Sequence, residues 1–235
     1  MKLGYYRHHG DTEEHFESST FMRDIILGMA DGLTVPFAIA AGLAAGAASG
    51  RLIIAGGLAE IAAGSISMGL GGYLAAKSYQ DYYKAEYARE IRETEEKPEA
   101  ERLEVEKILE GYGMQKSQSV HAAAEISRNQ HKWVNFMMRL ELGLEKPDPK
   151  QAVKTASTIA VSYMIGGLIP LSPYIAISNT NEAFLVSIMV TVVALVIFGY
   201  IRGRFTTGKP MRSAGETLIV GGIAATAAFL IAQFV

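Results

Sequence analysis

Between Ile25 and Ala48 the chain carries a single charged residue, Asp31, and between Leu52 and Ala76 again only one, Glu60. About 20 consecutive apolar residues cross the hydrocarbon of a bilayer as a helix. Both stretches therefore predict membrane spans, each with one carboxylate at a depth where an ionised group is costly and marks function. Three further apolar runs follow, at about Val153 to Ile175, Ala183 to Ile201 and Thr217 to Val235. Lipid offers the backbone no hydrogen-bond partner, so runs of this kind must be helical unless they close a barrel. The charged residues gather between the second and third runs, in a segment without sustained strand-type alternation. The expected fold is all-α: an integral membrane protein with five transmembrane helices and a three-helix insert between the second and third.

The expected divisions are an N-terminal segment at 1–19, spans one and two at 20–76, a helical insert at 77–150 and spans three to five at 151–235. The N-terminal segment is polar and holds His8, His9 and His15. It contains no short apolar stretch ending in a cleavage site, so the first span is expected to direct insertion itself. Orientation follows basic residues in the loops. Arg204, Lys209 and Arg212 lie between the fourth and fifth spans, whereas the loop from Ser172 to Glu182 has no basic residue. This puts the N-terminus and the insert in the cytosol and the C-terminus across the membrane. Beyond Ala76 no Gly or Pro occurs before Pro98, so the second helix is expected to project out of the bilayer to about Glu96. Two more insert helices are expected, at about Pro98 to Glu110 and Gln115 to Leu144. Pro98 suits a first turn, Gly111 and Gly113 end the former, and Gly143 with Pro147 ends the latter.

Several function classes are excluded or disfavoured. Cysteine is absent, which removes disulfides, thiolate metal sites and a cysteine nucleophile. A net charge of −2 does not suit a nucleic-acid partner. No nucleophile with a base and no phosphate-binding Gly-rich loop is recognisable, so the chain reads as no enzyme. The Glu-x-x-His pair of di-iron bundles is missing from the insert, which disfavours a ferritin-type centre. His121, His131 and the tyrosines Tyr79, Tyr82, Tyr83 and Tyr87 read as surface or packing residues.

In the first span Asp24, Asp31 and Thr34 are spaced by seven and three and fall near one stripe of a helix. Pro36 removes the hydrogen bond to the carbonyl of Gly32. The resulting kink either frees carbonyls for a cation beside Asp31 or simply bends a packed helix. In the second span Ser67 shares the face of Glu60, and Met68 lies about 80° round from it. Gly64 between them either admits an ion or neighbouring helix or is a small packing residue. Neither span supplies a basic partner at this depth, so a cation or a proton is the natural one. Burial favours the protonated acid and bound metal favours the ionised acid, so the two compete. Gly42, Gly46 and Gly50, four apart, suit close helix approach within a subunit or between two, and a homodimer is expected. Lys154, Thr158 and Ser162 could line the third span, with Lys154 at the boundary; Glu216 is expected at the membrane interface.

The insert holds two Glu-x-x-Glu pairs, Glu90 with Glu93 and Glu101 with Glu104, and the third insert helix adds Met137, Met138 and Glu141. Acids three apart share a helical face and could share a divalent cation. A thioether nearby tilts preference toward a softer transition metal. The alternative is a solvated acidic surface.

The stretches Met22-Arg-Asp-Ile-Ile-Leu-Gly-Met-Ala-Asp-Gly-Leu-Thr-Val-Pro-Phe37 and Ala59-Glu-Ile-Ala-Ala-Gly-Ser-Ile-Ser-Met-Gly-Leu-Gly-Gly-Tyr-Leu74, with Gly-Gly-Leu-Ile-Pro170, resemble the vacuolar iron transporter family, in its plant-type form with the insert. The resemblance implies proton-coupled export of cytosolic Fe²⁺ into the vacuole by a homodimer in the vacuolar membrane, without a prosthetic group. Mn²⁺, Zn²⁺ and Co²⁺ are further candidate ions. By motif position Asp31, Glu60 and Met68 would hold metal in the membrane, with Asp24 and Ser67 along the pathway. Glu90, Glu93, Glu101, Glu104, Met137, Met138 and Glu141 would capture it in the cytosol. The competing readings are a manganese exporter on the same scaffold and a membrane-anchored metal sensor or buffer.

Overall fold

A computed structural model describes residues 19–46, 48–206 and 208–234. The N-terminal histidines His8, His9 and His15 lie outside the described residues, as does Val235 of the expected fifth span. The described residues form eight helices and no strand: α1 (Ser19–Ala45), α2 (Gly50–Glu96), α3 (Pro98–Gly111), α4 (Lys116–Ser127), α5 (Gln130–Leu140), α6 (Gln151–Ala176), α7 (Thr180–Thr206) and α8 (Pro210–Phe234). Five of them, α1, α2, α6, α7 and α8, are long and apolar enough to cross a membrane. The helix α2 runs unbroken for 47 residues. At 1.5 Å per residue that is about 70 Å, more than twice the hydrocarbon thickness. Its apolar part ends near Ala76, and the charged remainder continues with no Gly or Pro to stop it until Pro98, as the sequence predicts.

The described residues divide into two compact units, one made of those up to Gly69 with those from Thr155 onward, the other of Leu70–Lys154. In the first, a core of Ala40, Ile53, Ile61, Leu171, Tyr174 and Ala183 joins α1, α2, α6 and α7. Water is absent from lipid, so close packing of small residues holds such helices together. A methyl at Gly166 of α6 would lie 3.0 Å from the Leu33 nitrogen and 3.1 Å from the Met29 carbonyl oxygen of α1. At Gly199 of α7 it would lie 2.7 Å from Cα of Ala214 in α8. Pro173 of α6 is compensated locally: it has no N–H for the Ile169 carbonyl, and the Ser172 hydroxyl donates to that oxygen at 2.8 Å.

The structure departs from the sequence expectations at two places. The glycines at 42, 46 and 50 do not form a stripe on one helix, because α1 ends at Ala45 and Gly50 opens α2. Gly42 faces Ala228 of α8 within the same chain, 3.3 Å from its carbonyl oxygen, and Gly50 lies beside Thr180. The repeat therefore serves packing inside the subunit at Gly42 and carries no argument for a dimer.

The other departure is in the second unit, which takes the charged half of α2 with α3, α4 and α5. The single helix expected over Gln115 to Leu144 is two, α4 and α5, broken at Asn129. That residue is extended, with φ −126° and ψ 106°, and its side chain accepts from the Lys132 N–H at 3.0 Å. An Asn oxygen that caps a new helix outcompetes continuation of the old one. The break turns α5 so that Trp133 and Met137 join Val105 and Ala123 in one cluster, and Val134 and Met138 join Tyr83 in another. Gly143, at φ 63°, then reverses the chain after α5.

Candidate functional site

In the first unit Asp31 of α1 and Glu60 and Met68 of α2 are each half-buried, while Ser67 is exposed. Glu60 is held by a residue from a third helix. The hydroxyl of Tyr163 in α6 donates to Oε1 of Glu60, and Oε2 is buried without a hydrogen-bond partner. Gly32, next to Asp31 on α1, lies against the Tyr163 backbone, where an added methyl would be 2.9 Å from its Cα. A methyl on Gly64 would lie 2.7 Å from Cε1 of that ring, so the space left by Gly64 is filled by Tyr163. The helix α1 continues through Pro36, and the Thr34 hydroxyl donates to its own Ala30 carbonyl at 2.8 Å rather than facing a pathway. Asp24, one turn and a half from the start of α1, is 1 % exposed and pairs with the Arg23 guanidinium at 3.0 Å. Lys154 pairs with Asp148 at 2.5 Å, and Glu216 with Arg202 and Arg212 at 3.3 and 3.0 Å.

In the second unit Glu90, Glu93, Glu101, Glu104 and Glu141, from α2, α3 and the end of α5, lie in one electrostatic field. Glu90 is 2 % exposed, and its Oε2 has no hydrogen-bond partner. Burial, then the charges of Glu141, Glu101 and Glu93, pushes its carboxyl up to about 7. Burial, then Glu104 and Glu93, also raises Glu101. Glu141 sits at the exposed edge, yet lost hydration on its inner side, then the charges of Glu104 and Glu101 and a hydrogen bond with Glu104, brings it to about 7 as well. Each group resists ionising first because burial strips water from its charge, and then because its neighbours carry the same sign. Arg89 answers part of that charge, 3.3 Å from Glu93 and 3.5 Å from Glu86. No three His, Asp or Glu groups among the described residues converge tightly enough to grip one ion as they stand. Met137 and Met138 are 0 % and 1 % exposed and pack in the apolar clusters of the unit.

The order of these features matches a known pattern over nearly the whole chain: the VIT family model covers residues 22–233. The chain belongs to the vacuolar iron transporter (VIT) family. It is 50% identical over 234 residues to Vacuolar iron transporter 1 of Oryza sativa subsp. japonica, an alignment covering 100% of this chain and 93% of that one. With Vacuolar iron transporter 1 of Arabidopsis thaliana the identity is 51% over 228 residues, covering 97% and 90%. Protein CCC1 of Saccharomyces cerevisiae is 39% identical over 214 residues, covering 88% and 66%. Among the residues that the VIT resemblance implies, the structure gathers the five glutamates of the insert in one field and pairs Glu60 with the Tyr163 phenol. It buries the two insert methionines and leaves Ser67 outward. Sequence reasoning missed Tyr163. Its signal was a phenol midway along an apolar run, where a hydroxyl needs a partner.

Proposed function

We propose that this protein is an antiporter that moves ferrous iron from the cytosol into the vacuole in exchange for protons. Its relatives' names supply the metal and the compartment; its own residues supply the chemistry. The observation that carries the reading is Glu60: a mid-span carboxylate with one oxygen held by Tyr163 and the other buried without a partner. An isolated charge in such a place costs several kcal/mol unless a cation or proton joins it. With Asp31 nearby and Met68 about two turns along α2, the site offers two carboxylates and a thioether, a donor set that suits Fe²⁺. Protonation from an acidic lumen competes with the metal and releases it.

In this reading the insert and N-terminus are cytosolic, and Glu90, Glu93, Glu101, Glu104 and Glu141 capture the ion first; Met137 and Met138 on α5, buried in the apolar clusters, reach it only when those clusters open. Carboxyls poised near 7 bind metal at cytosolic pH and shed it when protonated. Asp24 lies on the path at the cytosolic end of α1, with Ser67 beyond Glu60. Asp31, Glu60 and Met68 are only half-covered within one chain, and a second copy facing them in a homodimer would close the pathway. Manganese is a second cargo, favoured by the insert's exposed donors being oxygens while its methionine sulfurs are buried; Zn²⁺ and Co²⁺ suit the same donors less specifically. In vesicles with an acidic lumen, Fe²⁺ uptake is expected from the wild type and abolished in Glu60→Gln. Uptake unchanged in the variant would overturn the site, and competition between Fe²⁺ and Mn²⁺ ranks the cargo.

A further inference from the structure

One residue ties the two acidic helices together and belongs to neither. Tyr163 is 2 % exposed. Its backbone is pressed against α1, where added methyls at Gly28 and Gly32, the latter adjoining Asp31, would collide with it: the Gly32 methyl would lie 2.9 Å from Cα of Tyr163 and the Gly28 methyl 3.1 Å from its nitrogen. Its ring lies over Gly64 of α2, and its hydroxyl donates to Oε1 of Glu60. Every neighbour that must be small for this arrangement is glycine. Ile159 and Ser162 of α6 pack on Gly28 from the same face, so the phenol is delivered by a helix whose position against α1 is fixed to within a methyl group.

Resting on the transport reading above, we propose that Tyr163 is a positioning residue for the membrane acid. Its hydroxyl occupies one oxygen of Glu60 and holds the carboxylate so that the other, Oε2, faces the cargo, and it thereby sets the affinity for the incoming cation. Glu60 has five neighbours of small size on α2 in Ala59, Ala62, Ala63, Gly57 and Gly64, and none of them can hydrogen-bond through its side chain. Among the described residues the phenol is the one hydrogen-bond partner of the Glu60 carboxylate. The bond is present before the ion arrives, so it raises affinity by sparing the carboxylate its ordering on binding, an effect of roughly 3- to 10-fold in a binding constant. It survives loading only if the metal sits on Oε2, so the arrangement also predicts that Glu60 binds its ion through one oxygen.

The test is Tyr163→Phe in the full chain, reconstituted in vesicles, with KM and Vmax for Fe²⁺ and for Mn²⁺ measured beside wild type. Phenylalanine keeps the ring over Gly64 and leaves the backbone against Gly28 and Gly32, so melting temperature is expected to stay near that of wild type. The expected result is a KM raised roughly 3- to 10-fold with Vmax retained within about two-fold. Gly64→Ala, whose methyl would displace the ring, is expected to raise KM in the same way, while Tyr200→Phe, an exposed phenol on α7, leaves both constants unchanged. An unaltered KM in Tyr163→Phe, or a lost Vmax with KM unaltered, overturns the proposal. Absence of metal flux in the wild type would instead overturn the transport reading itself.

Discussion

Glu90→Gln isolates the energetic core of the insert. The buried carboxyl of Glu90 is pushed from an ordinary value of 4.5 to about 7. A carboxyl raised in the folded state costs the fold whenever it is ionised. Stability is therefore greatest below about pH 4.5, falls as pH rises through the interval to about 7, and is flat above it. Each tenfold weakening of a carboxyl's acidity corresponds to about 1.36 kcal/mol, so the rise from 4.5 to about 7 sets an upper limit near 3 kcal/mol. Sharing of protons among Glu90, Glu141 and Glu101 lowers the part assignable to one site, and about 1–3 kcal/mol is the expected gain of Glu90→Gln at pH 8. The assay is built into the chain. Trp133 is its single tryptophan, 4 % exposed in the cluster with Val105, Ala123 and Met137, so its fluorescence follows the insert alone. Thermal unfolding of the detergent-solubilised protein should show the wild type melting higher at pH 5 than at pH 8. Glu90→Gln should melt higher than wild type at pH 8, by about 4–8 °C per kcal/mol for a unit of this size, with little difference at pH 5. A wild type whose stability is flat or rises from pH 5 to pH 8, or a variant destabilised at pH 8, would refute the reasoning.

Two further changes probe the packing. Gly32→Val places a branched side chain against the Tyr163 backbone, where even one methyl lies 2.9 Å from Cα; the α1–α6 contact should be lost and the yield of monodisperse protein should collapse, as gel filtration would show. Asn129→Ala removes the acceptor of the Lys132 N–H and should cost about 1 kcal/mol, read by Trp133 fluorescence in a denaturant titration, with no change in transport KM.

The membrane part was legible in the sequence because lipid leaves the chain few choices. Each apolar run had to be a helix, and all five are. The charge-bearing half of α2 was equally legible, since nothing between Ala76 and Pro98 stops a helix. Asn129 was harder to see: an Asn within a helical pattern is tolerated or becomes a cap according to tertiary packing, and here burial of Trp133 and Met137 rewards the break. The glycine repeat signalled close helix approach, which Gly42 makes to Ala228 within the chain, although its spacing runs across the end of α1. The acids of the insert could be paired by spacing within a helix, but that α2, α3 and α5 bring five of them into one field depends on the turns at Lys97, Gly113 and Asn129. Tyr163 escaped notice because a contact over 103 residues of chain leaves no local pattern.

Antiport is the central claim, and simultaneous flux measures it most directly. Vesicles with an acidic lumen, holding one dye that reports metal and another that reports pH, would receive Fe²⁺ outside, with Asp31→Ala as the control. The account predicts iron entry and proton exit together, both lost in the control. Iron bound at the insert with neither flux, or iron entry with the luminal pH undisturbed, would contradict it.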